Sequence, residues 1–142
     1  MSELKWQRHV VHSENSIHWR TDEKVFRELD LEFGFDFDPC PYYSLVNGLE
    51  VPWTGRRVFC NPPYKRGEIA KWLAKHKDAA VAVYLLPSRT GTRWWHEFSP
   101  QAEVRYFRGR LRFGGVENTA PFDSVLLIFD HSESEEDRGT ES

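Results

Sequence analysis

The feature that most constrains this chain is Val58-Phe59-Cys60-Asn61-Pro62-Pro63-Tyr64, an apolar run that stops in Asn-Pro-Pro-Tyr. Proline fixes φ and carries no N–H, so two in succession can neither continue a sheet ladder nor sit inside a helix. A strand entering this stretch must end at Cys60, leaving a rigid corner at its carboxyl end, where open α/β sheets place their ligands. Asn61 offers a side-chain carbonyl, and the prolines leave backbone carbonyls without helical partners. Two acceptors can thus converge on one amino group beside the Tyr64 ring. This suits a planar ring bearing an exocyclic NH₂. A plain strand terminator, with Tyr64 packed on the sheet edge, is the alternative.

The flanking chain carries further signals. Thr21, followed by Asp22 and Glu23, reads as a helix N-cap; Val25, Phe26, Leu29 and Phe33 then recur at helical spacing, and Gly34 supplies the stop. Phe35-Asp36-Phe37-Asp38 alternates with period two, predicting a short strand with its phenylalanines on one face and its aspartates on the other. Residues 39–57 are rich in proline and glycine and read as a loop. Arg57–Cys60 is the next strand, a helix is expected over 67–76, a strand covered on both faces over 79–86, and a helix over 90–98. The last two strands are expected over 102–107 and 122–129.

At 142 residues the chain fits one domain. We expect an N-terminal arm over 1–18, the domain over 19–129 and an acidic, disordered tail over 130–142. Six acids against Arg138 give that tail a net −5 of the overall −3, which leaves residues 1–129 at +2, compatible with a phosphate-backbone partner. Cys40 and Cys60 lack zinc-site spacing with the six histidines, so no metal is expected. No apolar run approaches eighteen residues. Two cysteines without a signal peptide suggest a reducing compartment, the cytoplasm, with no membrane partner.

Asn-Pro-Pro-Tyr after a strand resembles the catalytic motif of S-adenosylmethionine-dependent amino-methyltransferases. Trp19-Arg20-Thr21, Glu32 through Asp38, Trp53-Thr54-Gly55, Leu85 through Thr90, Gly109 through Phe113 and Ala120 through Ser124 fall in the order of one group in particular, the phage-type DNA N6-adenine methyltransferases. The similarity runs from about Trp19 to about Phe129. It implies an abbreviated class I (Rossmann-like) methyltransferase sheet, α/β, with a C-terminal antiparallel hairpin. Only twenty-two residues separate Asp38 from Asn61, too few for the usual two extra strand-helix units. The sheet is then minimal, with about five strands, or completed by a partner.

The resemblance implies methyl transfer from S-adenosylmethionine to adenine N6 in double-stranded DNA, the base being flipped out. For a phage-encoded protein, the setting is the host cytoplasm. It also implies that Asn61 and the Pro62 carbonyl hold the amino group, Pro63 fixes the corner and Tyr64 stacks on the base. For the cofactor it points to Trp19, Thr21, Asp36, Asp38, Pro39, Cys40 and Asn61. Asp38-Pro39-Cys40 resembles the start of an Asp-Pro-x-x-Gly-x-Gly loop, but Pro41, Tyr42 and Tyr43 stand where glycines are expected. Asp36 reads equally as a solvated strand residue. Lys65, Arg66, Arg89 and Thr90 are placed to meet DNA backbone. Arg108, Arg110 and Arg112 alternate as a phosphate-tracking stripe or as a charged edge strand that resists aggregation. Rival readings are a DNA-binding relative of weak activity and an amino-methyltransferase acting on RNA or protein glutamine. With no separate recognition domain in view, selectivity falls to loops such as 39–56 and 108–121 or to a second subunit in a homodimer.

Overall fold

A computed structural model describes residues 20–41, 47–112 and 120–132. Trp19 and the expected arm, Tyr42, Tyr43, Phe113 and residues 133–142 lie outside the described residues. Helix α1 (Glu23–Phe33) begins at Asp22, whose carboxylate accepts from Lys24 N at 2.8 Å and Val25 N at 3.2 Å. The cap is therefore Asp22 and not Thr21, which corrects the sequence expectation. Both residue types cap well, so composition does not separate adjacent positions. Gly34 closes the helix by donating to Asp30 O, and Asp30 Oδ1 accepts from Phe35 N.

The expected strand over 35–38 is reduced to one parallel bridge, Phe37 to Val58. Asp36 N and Phe37 N both donate to Arg57 O, at 2.9 and 3.3 Å, and Asp36 Oδ1 accepts from Arg57 N. Two residues crowd against one, as in a bulge, which shifts the phase of the alternation. Phe35 consequently packs with Phe26, Phe33 and Phe59, while Phe37 joins the opposite layer beneath the Arg56 guanidinium. The two phenylalanines do not share a face.

Strands β1 (Arg57–Cys60), β2 (Val81–Pro87), β3 (Glu103–Tyr106) and β4 (Ser124–Asp130) form one open sheet in the order β1-β2-β4-β3. β1 and β2 are parallel, with Cys60 opposite Tyr84; β4 is antiparallel to both β2 and β3. The C-terminal antiparallel pair is thus present. Every residue of β2 is buried, because helices cover both faces. Ala82, Tyr84 and Leu86 meet α2 (Ile69–Ala74) and α3 (Arg93–Phe98) through Trp72, Leu73, Trp95 and Phe98. Val81, Val83 and Leu85 meet α1 through Leu29 and Phe33. The result is a mixed α/β arrangement of three layers.

Both short helices continue as 3₁₀ turns, Lys75–Asp78 and Ser99–Gln101, and α3 starts at a Thr92 cap, three residues later than periodicity predicts. β4 reaches Asp130, and His131 and Ser132 donate back to Ala80 O. The arginine stripe is corrected as well. Arg108, Arg110 and Arg112 are exposed but lie beyond β3, and Gly109 at φ 78° breaks any strand alternation among them.

Candidate active site

Cys60 is the last residue of β1, and the prolines turn the chain over the carboxyl edge of the sheet as the sequence requires. Asn61 is 2% exposed and its amide is oriented at both ends. Its Nδ2 donates to Thr21 Oγ1 at 2.8 Å, so the residue expected to cap α1 instead fixes the catalytic candidate. Its Oδ1 lies 2.9 Å from the Tyr64 hydroxyl, which is also 2.9 Å from Leu85 O on β2. One hydroxyl carries one proton, so Tyr64 donates to one of these oxygens at a time. Burial, the leading cause, holds the Tyr64 phenol well above its usual pKa, and it stays protonated. The ring packs edge-on against Phe122 at 5.6 Å.

Two cavities flank this corner. The first, about 510 Å³, is bordered by Arg20, Thr21, Phe26, Asp30, Asp38, Pro41 and Phe59. The second, about 720 Å³, is bordered by Tyr64, Lys65, Arg66, Arg89, Arg93, Trp94 and Glu97. Thr21 belongs to one and Tyr64 to the other, and both are hydrogen-bonded to the Asn61 amide. The Asn61 amide thus links a residue of one cavity to a residue of the other.

Of the residues that sequence assigns to a cofactor, Thr21 and Asp38 border the first cavity. Asp36 does not: it caps the start of β1. Pro39, Cys40 and Asn61 do not border that cavity either, and Cys40 N donates to Asp38 Oδ1 at 3.0 Å. Desolvation by the surrounding protein raises the Asp38 carboxyl to about 6. Burial likewise pushes the Cys40 thiol up to about 12 and the Cys60 thiol well above its usual value, so neither is a ready thiolate. Among the described residues no cluster of three or more His, Cys, Asp or Glu is placed to hold a metal ion, and no helix is long and apolar enough to cross a membrane.

Of the residues assigned to DNA, Lys65, Arg66 and Arg89 border the second cavity. Thr90 is exposed outside it, and Arg108, Arg110 and Arg112 do not border it either. Sequence reasoning missed Arg93, Trp94 and Glu97. Their signal was available in their place on the helix that follows the carboxyl end of β2. It also missed Gly48, where an added Cβ would lie 1.8 Å from Pro39 O. Trp53 Nε1 donates to Gly48 O at 3.0 Å, fixing this close crossing. Glycine thus supports the Asp38-Pro39 corner from a separate segment.

A family model described as DNA N-6-adenine-methyltransferase (Dam) matches residues 9–132. The chain belongs to this family. No curated protein and no solved structure matches it. Membership points to DNA adenine methylation as the activity, and the match takes in every described element of the fold.

Proposed function

We propose that the protein transfers a methyl group from S-adenosylmethionine to adenine N6 in DNA, with the target base flipped into the second cavity and the cofactor held in the first. The observation that carries this reading is the Asn61 amide, hydrogen-bonded through Nδ2 to a residue of the first cavity and through Oδ1 to a residue of the second. The sheet order, with the Phe37 bridge outside β1, supports an abbreviated Rossmann-like methyltransferase sheet.

The first cavity fits the cofactor's chemistry. Asp38 supplies a carboxylate for an α-ammonium or ribose hydroxyls, Arg20 brings positive charge for a carboxylate, and Phe26 and Phe59 form an apolar wall. S-adenosylmethionine, when bound, supplies an electrophilic methyl group on a sulfonium. The chain's own residues position the nucleophile. When the Tyr64 hydroxyl donates to Leu85 O, Asn61 Oδ1 becomes an acceptor for the adenine amino group, with the Pro62 carbonyl as the second. Two acceptors on the NH₂ protons oppose delocalisation of the nitrogen lone pair into the ring and stabilise the positive charge that develops there. Asn61 is neutral and is no general base, so the proton leaves to water after transfer. Tyr64 forms one wall for the base, and Lys65, Arg66 and Arg89 meet the phosphates.

Incubation with unmethylated DNA and methyl-labelled S-adenosylmethionine, followed by nucleoside mass spectrometry, tests the reading. Labelled N6-methyladenine is expected. A folded protein that binds DNA and yields no modified base would favour the binding-module reading.

A further inference from the structure

The second cavity holds more than the target base requires. Its 720 Å³ falls in the upper part of the roughly 300–1,000 Å³ range of sites for drug-sized ligands. Its far wall is α3, which the reaction described above does not use. Four cations reach the cavity from three segments: Lys65 and Arg66 after the Asn-Pro-Pro-Tyr corner, Arg89 after β2, and Arg93 on α3. Among the described residues none of the four side chains has an ion-pair partner. Four unneutralised charges around one hollow repel each other and fit a polyanion.

Two residues of α3 do not fit a purely phosphate-binding wall. Trp94 is half-buried and held edge-on against the buried Trp95, with ring centroids 6.0 Å apart. A rigid ring at the cavity border is a stacking platform. Glu97 places an exposed carboxylate one helical turn from Arg93 without pairing to it or to the other cations. Facing a polyanion, a carboxylate gains from an N–H donor and not from phosphate. On the major-groove edge, which a paired base still presents beside a flipped neighbour, the donors that DNA offers are exocyclic amino groups, with cytosine N4 to Glu a standard pairing.

We propose that α3 reads the nucleotide flanking the target adenine: its base stacks on Trp94 and donates an amino N–H to Glu97, while Arg93 holds its phosphate. This rests on the reading that the second cavity receives the target strand. It makes the protein selective for a base with a major-groove amino group, cytosine or adenine, over thymine and guanine at one position beside the methylated adenine.

Two measurements on the full chain test it. In DNA binding as a function of salt, Arg93→Ala is expected to reduce the salt slope by about 1. Trp94→Ala is expected to weaken binding about tenfold with the slope unchanged, as loss of one stacked base requires. Thermal unfolding confirms that each variant is folded, and Trp94→Phe, which keeps a ring, is expected to recover most of the affinity. Unchanged slope and affinity in these variants would overturn the proposal. In the second measurement, duplexes with randomised flanks are methylated and the modified sites sequenced. The wild type is expected to disfavour thymine and guanine at one flanking position, and Glu97→Ala to lose that bias. No flanking bias in the wild type, or the same bias in Glu97→Ala, would overturn the role of Glu97. Absence of any methylation by the wild type would contradict the proposed reaction instead, and the binding variants would still decide whether α3 docks the strand.

Discussion

The side-chain carbonyl of Asn61 has two competing claims on it, the Tyr64 hydroxyl and, in the proposed reaction, the adenine amino group. Tyr64→Phe removes the first. The buried hydroxyl accounts for about one hydrogen bond, so the variant is expected to lose roughly 1 kcal/mol in urea unfolding. Turnover is expected to stay within about tenfold of wild type, the price of one neutral hydrogen bond at most. A larger loss of turnover in the folded variant would show that the Tyr64–Asn61 bond itself holds the productive geometry. Asn-Pro-Pro-Tyr made Asn61 and Tyr64 legible because proline's missing N–H dictates where a strand stops. The Thr21–Asn61 bond was not legible. Forty residues separate the two, and Thr21 satisfied a helix cap equally well until Asp22 was seen to fill that role.

Elements whose signal is local and redundant read correctly. The run Ala79–Leu86 contains a central strand because an unbroken apolar stretch between polar turns demands cover on both faces, and β2 has it. The alternation of 35–38 misled, because period-two reasoning assumes one residue per partner and Arg57 O takes two amides. The Gly48–Pro39 crossing was beyond reach for another reason: a close approach between distant backbone segments leaves no periodicity. Gly48→Ala tests it. A Cβ at 1.8 Å from Pro39 O forces backbone to move, and overpacking of that kind costs about 1–3 kcal/mol. Lower stability in thermal unfolding is expected together with weaker binding of S-adenosylmethionine, since the displaced segment carries Asp38. Unchanged stability would contradict a tight crossing of Gly48 over Pro39.

Across the whole molecule, the sheet separates chemistry at its carboxyl edge from a histidine pair at the opposite end. His76 Nδ1 and His131 Nε2 lie 3.1 Å apart, and His76 stacks on Phe129 at 3.9 Å. Burial, then the neighbouring His131 and Lys77, lowers the His76 pKa from 6.5 to about 4. The unfolded chain therefore takes up a proton between pH 6.5 and 4 that the folded chain refuses. Stability is complete above 6.5 and declines as pH falls through that window. Urea midpoints across pH 4–7 are expected to fall toward acid, with the decline reduced in His76→Phe; an identical decline in that variant would assign it to other groups. The layers themselves followed from the apolar pattern, whereas the two cavities depend on which loops meet at the sheet edge.

The central claim is that Asn61 joins a cofactor site to a base site. The most direct test is single-turnover methylation by Asn61→Ala, with S-adenosylmethionine and DNA binding measured on the same folded sample. Loss of a positioned transition-state partner predicts turnover reduced about 10²-fold or more, with both ligands still bound. A folded Asn61→Ala protein that methylates adenine at the wild-type rate would contradict the account.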